Sequence, residues 1–267
     1  VQLISLDGNR IMAVSLQDNG AADSSYNYLS AVTSISEDGG KTWGKLTRIS
    51  DSKLLQFHAK AHIVGDRILL SWSEGNMDDV LKNDEADKTQ LAANEVGKAL
   101  NAFDLKGRFF NMDGTPAGET FDIVSDASVS ASILGAVEKD GKVYVYYQRC
   151  KYPEVDDTRT SDLLDQDRTI SYAVINPEDV STVSLADEQI LATSFNGNKV
   201  YRIMEIEPFS YKGITGEILV IDRDGSLIKE KEDGSLDTSI DDRQVLMRIY
   251  NGTDPGLLGG TIIPLSD

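Results

Sequence analysis

One short pattern occurs four times along the chain, and it constrains the fold more than any other feature. Each copy has a turn dipeptide, a basic residue and then an apolar strand. The copies are LDGNRIMAVSLQD from Leu6, IVGDRILLSWSEGN from Ile63, EKDGKVYVYYQRCK from Glu138 and FNGNKVYRIMEIEP from Phe195. Asp-Gly, Gly-Asp and Gly-Asn between β-branched runs mark tight hairpins, because these residues tolerate positive φ. The turn glycines are Gly8, Gly65, Gly141 and Gly197. The first and last intervals between them nearly match. The middle one is longer, as an insertion in the second copy would make it.

Each copy continues in the same way. A second β-rich run follows: YLSAVTSIS, ALNAFDLKGRFF, TISYAVI and GEILVID. Then comes another turn: EDGGKT, NMDGTP, NPEDVS and DRDGS. A final strand ends the unit: GKLTRIS, ETFDIVS, VSLADEQIL and LIKEK. Four strands repeated four times predict an all-β fold, a β-propeller of four-stranded antiparallel blades. The chain reads as a single domain with repeats at about 1–52, 53–128, 129–194 and 195–267. The remainder, RQVLMRIYNGTDPGLLGGTIIPLSD, predicts two or three more strands, which close the ring or begin a fifth blade. A chain of unrelated hairpins in a sandwich is the competing architecture, but a periodic four-strand unit fits a Greek key poorly.

The turn between the third and fourth strands of the first unit reads Ser36-Glu37-Asp38-Gly39-Gly40-Lys41-Thr42-Trp43. It resembles the Asp-box, or BNR repeat, of sialidase-like β-propellers, with Ser36, Asp38, Gly40, Thr42 and Trp43 in the defining positions. Later turns keep less of it. Asp113-Gly114 is followed by Phe121, Asp224-Gly225 stands alone, and NPEDVS has no glycine. The residue types suit a turn without any ligand. Gly39 and Gly40 can take the φ values of a tight hairpin. Asp38 and Ser36 can accept hydrogen bonds from turn amides, and Trp43 can cover the apolar side of the hairpin. The resemblance implies that such turns lie on the face away from the substrate, in a structural role.

An antiparallel meander sends alternate turns to opposite ends, so the second-to-third-strand loops emerge on the other face. They are Gln17 to Asn27, Gly75 to about Leu100, Arg149 to Arg168 and Glu207 to Thr215. Long loops gathered on one face of a rigid scaffold commonly carry binding sites. The second loop has helix signals: Asp78 or Asp79 as cap, then Val80, Leu81, Leu91, Ala92, Val96 and Leu100 as a partly apolar stripe. A helical insertion in the second blade is therefore expected, packing on the rim or walling a ligand. Residues where the second strand meets these loops point toward the central funnel. They are Asp18, Glu74, Asn76, Arg149, Tyr152, Glu205 and Glu207. Carboxylates, an arginine and a tyrosine suit polar recognition of a sugar or peptide, and a solvated blade end would present the same types. The aspartates of DDTRTSDLLDQD suit Ca²⁺, but their spacing fits no EF-hand loop, so no cofactor is expected.

The resemblance to sialidases implies three arginines that clamp a carboxylate, a tyrosine nucleophile with a glutamate base, and an aspartate acid. It also implies Arg-Ile-Pro ahead of the first Asp-box. Here Arg10-Ile11-Met12 is the nearest match, and it lies at the wrong end of its strand. Arg149, Arg159 and Arg168 all fall in one loop, whereas the family draws its arginines from different blades. Asp18, Asp23 and Glu74 remain as weak candidates for catalysis. His58 and His62 are the only histidines. They fall in an alternating strand, where both side chains would share one face. No Ser-His-Asp set, phosphate loop or dinucleotide fingerprint is present.

A formal net charge of −18 over 267 residues argues against nucleic-acid partners and anionic membranes. No apolar run is long enough to span a bilayer. Cys150 is the only cysteine, so no intrachain disulfide forms. The opening VQLISL is already strand-like, and the chain reads as processed or as part of a larger polypeptide. The sequence thus predicts an extracellular or cell-surface propeller that binds a glycan or protein without evident catalytic machinery. A sialidase-like exo-glycosidase with a remodelled site is the alternative, and a structural spacer module is a third.

Overall fold

The computed structural model describes residues 1–6, 8–21, 25–78, 102–126, 130–151, 167–185, 194–195, 198–199, 202–212, 214–222, 229–230, 236–237, 243–249 and 261–265. The first blade is β1 (Gln2–Ser5), β2 (Ile11–Asp18), β3 (Leu29–Ser36) and β4 (Thr47–Arg48). The second is β5 (Leu55–Val64), β6 (Arg67–Gly75), β7 (Asp104–Asn111) and β8 (Phe121–Val124). The third is β9 (Ser130–Lys139), β10 (Lys142–Lys151), β11 (Asp167–Asn176) and β12 (Asp179–Leu185). A short hairpin, β13 (Ser194–Phe195) and β14 (Asn198–Lys199), leads to the fourth. That blade starts with β15 (Arg202–Tyr211) and β16 (Ile214–Asp222). A second short hairpin follows, β17 (Lys229–Glu230) and β18 (Leu236–Asp237), before β19 (Arg243–Ile249) and β20 (Thr261–Pro264) complete the sheet.

Each four-stranded sheet is an antiparallel meander in chain order, as the repeat predicts. The chain is a β-propeller. The turn chemistry explains the hairpins. Gly8, Gly65 and Gly141 all have positive φ. In the third blade Asp140 joins Gly141 at positive φ, the conformation a two-residue type I′ turn requires.

Blades pack face to face. β6 reads RILLSWSEG and is buried on both sides. Ile68, Leu70 and Trp72 pack with Met12, Val14 and Ala31 of the first blade. Leu69, between them in sequence, points the other way, among Val143, Val145 and Ile175 of the third. Burial of side chains this size is worth roughly 1.5–3 kcal/mol each. The innermost strands also touch in series, β1 on β5, β5 on β9 and β9 on β15. Lys60 of β5 reaches across them, bonding the Leu134 carbonyl at 3.1 Å and approaching Glu207 at 3.6 Å.

The fourth unit is shifted by one strand from the sequence expectation. The Asn196-Gly197 signal does lie between two paired strands, but they are the separate pair β13 and β14. The strand expected after it, containing Glu205 and Glu207, is the first of the fourth sheet and not the second. Glu207 to Thr215 is therefore the end of β15 and its turn into β16. RQVLMRI and TIIP supply the third and fourth strands, so they begin no fifth blade. Asp224-Gly225 then falls between the second and third strands, and lies outside the described residues. The helical insertion expected in the second blade is not supported, and its segment, 79–101, is also outside them. Among the described residues no helix is long and apolar enough to cross a membrane.

His58 and His62 do not share a face. A bulge between Phe57 and Lys60 inserts one residue, with His58 at φ 52°, and reverses the alternation. His58 is exposed, whereas His62 is 9% exposed with no hydrogen-bond partner on either ring nitrogen. Burial, helped by the charge on Lys60, pushes the His62 imidazole down to about 3. The folded protein therefore holds it neutral, while the unfolded chain takes up a proton below the ordinary histidine value of 6.5. Stability from this group is complete above that value and falls as pH drops toward 3. The expected loss between pH 8 and pH 5 is roughly 2 kcal/mol. Urea titrations across that range should show it, and His62→Leu should flatten the dependence.

Candidate functional site

The two ends of the blades differ in chemistry. At the lower end lie the first-to-second and third-to-fourth turns. Ser36 is fully buried there, and its hydroxyl donates to Asp38 Oδ1 at 2.9 Å and accepts from the Gly40 amide at 2.8 Å. Asp38 accepts from the Thr42 amide at 2.8 Å and from Thr42 Oγ1 at 2.7 Å. These bonds, those from Thr42 first, hold the carboxyl at about 2. Gly39 and Gly40 sit at φ 74° and 89°. The Gly39 amide donates to the Asn9 carbonyl at 2.8 Å and ties the two turns of the blade together. The side chains of Ser36, Asp38 and Thr42 thus bond one another and the turn amides. Asp113 with Thr115, and Asp179 with Ser181, repeat the carboxylate-to-hydroxyl bond at 2.6 Å in the next two blades. The third turn thus keeps the device without the glycine. Trp43 covers less than expected and is 42% exposed.

At the upper end, the seam between the first two blades holds a cavity of ≈ 420 Å³. Three segments wall it. The loop after β2 contributes Asn19, Gly20, Ala21, Ser25 and Asn27, the connection after β4 contributes Arg48, Lys53 and Leu54, and Asp78 closes the side. The loop is shaped by its own side chains. Asp18 accepts from the Gly20 amide at 2.8 Å, and Asn19 Oδ1 accepts from the Ala21 amide at 2.9 Å. Asp78 crosses the seam, accepting from Ser25 Oγ at 3.0 Å and from the Tyr26 amide at 2.6 Å. Asn27 Nδ2 donates to Asn76 Oδ1 at 3.0 Å, and Asn27 Oδ1 accepts from the Met77 amide at 2.9 Å. Arg48 is held by Ser30 Oγ at 2.7 Å and the Ser52 carbonyl at 3.1 Å. Lys53 is exposed and makes no hydrogen bond or ion pair among the described residues.

A buried polar network lies in the same seam. Gln56 is fully buried; its oxygen accepts from the Ala31 amide at 2.8 Å and its nitrogen donates to Glu74 Oε2 at 2.7 Å. Trp72 Nε1 donates to the same oxygen at 3.1 Å. Three polar partners converge where the flanking core is apolar, which fixes the seam in one register.

The sequence candidates therefore divide. Asn76 braces the cavity wall, Asp18 caps the loop beside it, and Glu74 belongs to the buried network. Arg149 is in another blade, paired with Asp126 at 2.7 Å. Glu207 lies on an innermost strand opposite Lys60. Glu205 is on the same strand, with its side chain outside the described residues, and Tyr152 is outside them altogether. The aspartate-rich loop weighed for Ca²⁺ is outside them up to residue 166, and Asp167 begins β11 with its side chain not described. Among the described residues no three His, Cys, Asp or Glu side chains gather where they could hold a metal. Sequence reading missed the connection after β4. Its signal was available, because strand-four-to-strand-one connections emerge at the same end as the second-to-third loops.

No family model and no curated protein matches the chain. Solved structures do match its fold. A Hadza microbial sialidase superposes with a TM-score of 0.51 at 12% identity, over 98% of this chain and 45% of that one. An endo-1,4-beta-xylanase from Bacteroides thetaiotaomicron gives 0.51 at 10% identity, over 98% and 75%. An alpha-L-arabinofuranosidase from Lactobacillus brevis gives 0.50 at 8% identity, over 88% and 74%. This chain spans less than half the length of the sialidase. Likeness at this level is likeness of fold.

Gln56→Ala would leave the Ala31 amide without its acceptor in the seam. The expected destabilisation is roughly 2–4 kcal/mol by urea titration, from lost packing and an unmet buried amide. Asp38→Ala should also lower the melting temperature, with no change at the upper-end cavity in a crystal structure of the variant.

Proposed function

We propose that this chain is a glycan-binding β-propeller whose site is the cavity between the first two blades. The observation that carries the reading is the lining: an unpaired lysine, an arginine, a carboxylate and loop amides around ≈ 420 Å³. Such a mixture offers donors and acceptors to the vicinal hydroxyls of a sugar. Glycan-acting enzymes among the matched folds support it. The setting is extracellular or at the cell surface, within a larger polypeptide. A second reading, a glycoside hydrolase with a remodelled site, is favoured by those same enzymes and by the buried carboxylate of Glu74.

A glycan array followed by calorimetry tests the first reading. Binding should appear, and Lys53→Ala combined with Asp78→Ala should weaken it at least tenfold. Asp38→Ala, at the opposite end, should leave it unchanged. A folded chain that binds no glycan on the array sinks the reading. Turnover of fluorogenic glycosides, abolished by Glu74→Gln, would establish the second instead.

A further inference from the structure

The cavity between the first two blades leaves its two cations without a carboxylate partner. Elsewhere Arg67, Lys106, Arg149 and Arg248 each pair with an acidic side chain. Arg48 and Lys53 are exposed and make no ion pair among the described residues, in a chain with 44 acidic residues against 26 basic ones. Asp51, exposed on the same connection, pairs with neither. The two positive charges are neighbours, because the Arg48 guanidinium bonds the carbonyl of Ser52, the residue next to Lys53. Like charges held side by side repel, and an anion bound between them relieves that repulsion.

Other polar side chains of the lining are bonded to one another or to the backbone. Asn19 donates to the Asn27 carbonyl at 2.8 Å and accepts from the Ala21 amide at 2.9 Å. Asn27 bonds Asn76 and the Met77 amide, and Asp78 accepts from Ser25 and the Tyr26 amide. Lys53 has no such bond, and Arg48, held through Nη2, keeps Nε and Nη1 unbonded among the described residues. These groups only donate, and all carry positive charge. An oxyanion, which only accepts, is their complement.

The anchoring of Arg48 also selects among oxyanions. A guanidinium offers two parallel N–H pairs, one from Nε with Nη2 and one from Nη1 with Nη2, and a planar carboxylate matches either. Here Nη2 donates to Ser30 Oγ at 2.7 Å and to the Ser52 carbonyl at 3.1 Å, so each pair has one member engaged. What remains is separate single donors beside a lysine that acts as a point charge. The three terminal oxygens of a sulfate or phosphate ester accept from separate directions and suit that arrangement. Resting on the glycan-binding reading above, we infer that the glycan taken by this cavity bears a tetrahedral oxyanion, a sulfate or phosphate ester, held by Lys53 and Arg48.

A glycan array printed with matched unsubstituted, uronate-bearing, sulfated and phosphorylated oligosaccharides, followed by calorimetry on those that bind, tests this. A sulfated or phosphorylated form should bind roughly tenfold more tightly than its unsubstituted match, as bonds to charged groups allow. The tighter of the two identifies the ester. The preference should shrink as sodium chloride rises from about 50 to about 500 mM. Lys53→Met should remove most of it while keeping the wild-type circular dichroism. Uronate-bearing forms bound as tightly as the esters overturn the proposal in favour of a carboxylate. Equal affinity for substituted and unsubstituted forms overturns it and leaves the glycan-binding reading standing, whereas a folded chain that binds none of them overturns both. An ester preference that survives Lys53→Met also overturns it, because the oxyanion then sits elsewhere.

Discussion

Face-to-face burial between neighbouring sheets is the interaction on which everything else depends. A four-stranded meander has no core of its own. It becomes stable only when both faces are covered, so the middle strands are apolar on both sides. β6 shows this, with Ile68, Leu70 and Trp72 on one face and Leu69 on the other. Any polar side chain in such a joint must be paired or must destabilise it. Gln56 and Glu74 meet that condition with complete partners. His62 does not, and stays buried only by remaining neutral.

The meander then divides the labour between the two ends. Lower turns are short and are closed by a carboxylate bonding its own turn amides and hydroxyls. That device recurs at Asp38, Asp113 and Asp179. Gly114 shows how tightly such turns are seated, since a Cβ there would lie 2.1 Å from Ile35 Cδ1 of the neighbouring blade. Upper connections have no such template. Their side chains bond across the seam between blades, as Asp78 does to Ser25 and Tyr26. A cavity forms where two blades and a connection meet, away from the innermost strands.

The fold was legible because turn glycines and alternating strands repeat, and repetition survives local errors. The error in the fourth unit has a physical source. Asn196-Gly197 and Lys212-Gly213 are both good turn signals, and local chemistry cannot say which one opens a blade. Pairing partners decide that, and they lie far along the chain, as β16 with β19 does. The bulge at His58 was hidden for a similar reason: one inserted residue reverses a face without altering the apolar pattern much. The site was less legible still. Glu74 and Asn76 stood out as strand-end residues, but Arg48 and Lys53 lie in a connection that carries no turn motif.

The connection after β4 also changes how the arginines count. Arg149 and Arg168, expected in one loop, stand on the paired strands β10 and β11 of a single blade, and Arg159 is outside the described residues. Arg48, in the connection after β4, stands at the first blade's cavity. Among the described residues, Arg48 and Arg149 put upper-end arginines in two blades. A carboxylate clamp aims the paired N–H donors of its guanidinium groups at both ligand oxygens. Arg48 is already bonded to Ser30 and Ser52, and Arg149 to Asp126. Both are committed to holding loops in place. The cation left open at the cavity is Lys53, a point charge on a flexible stem, suited to recognition more than to rigid alignment.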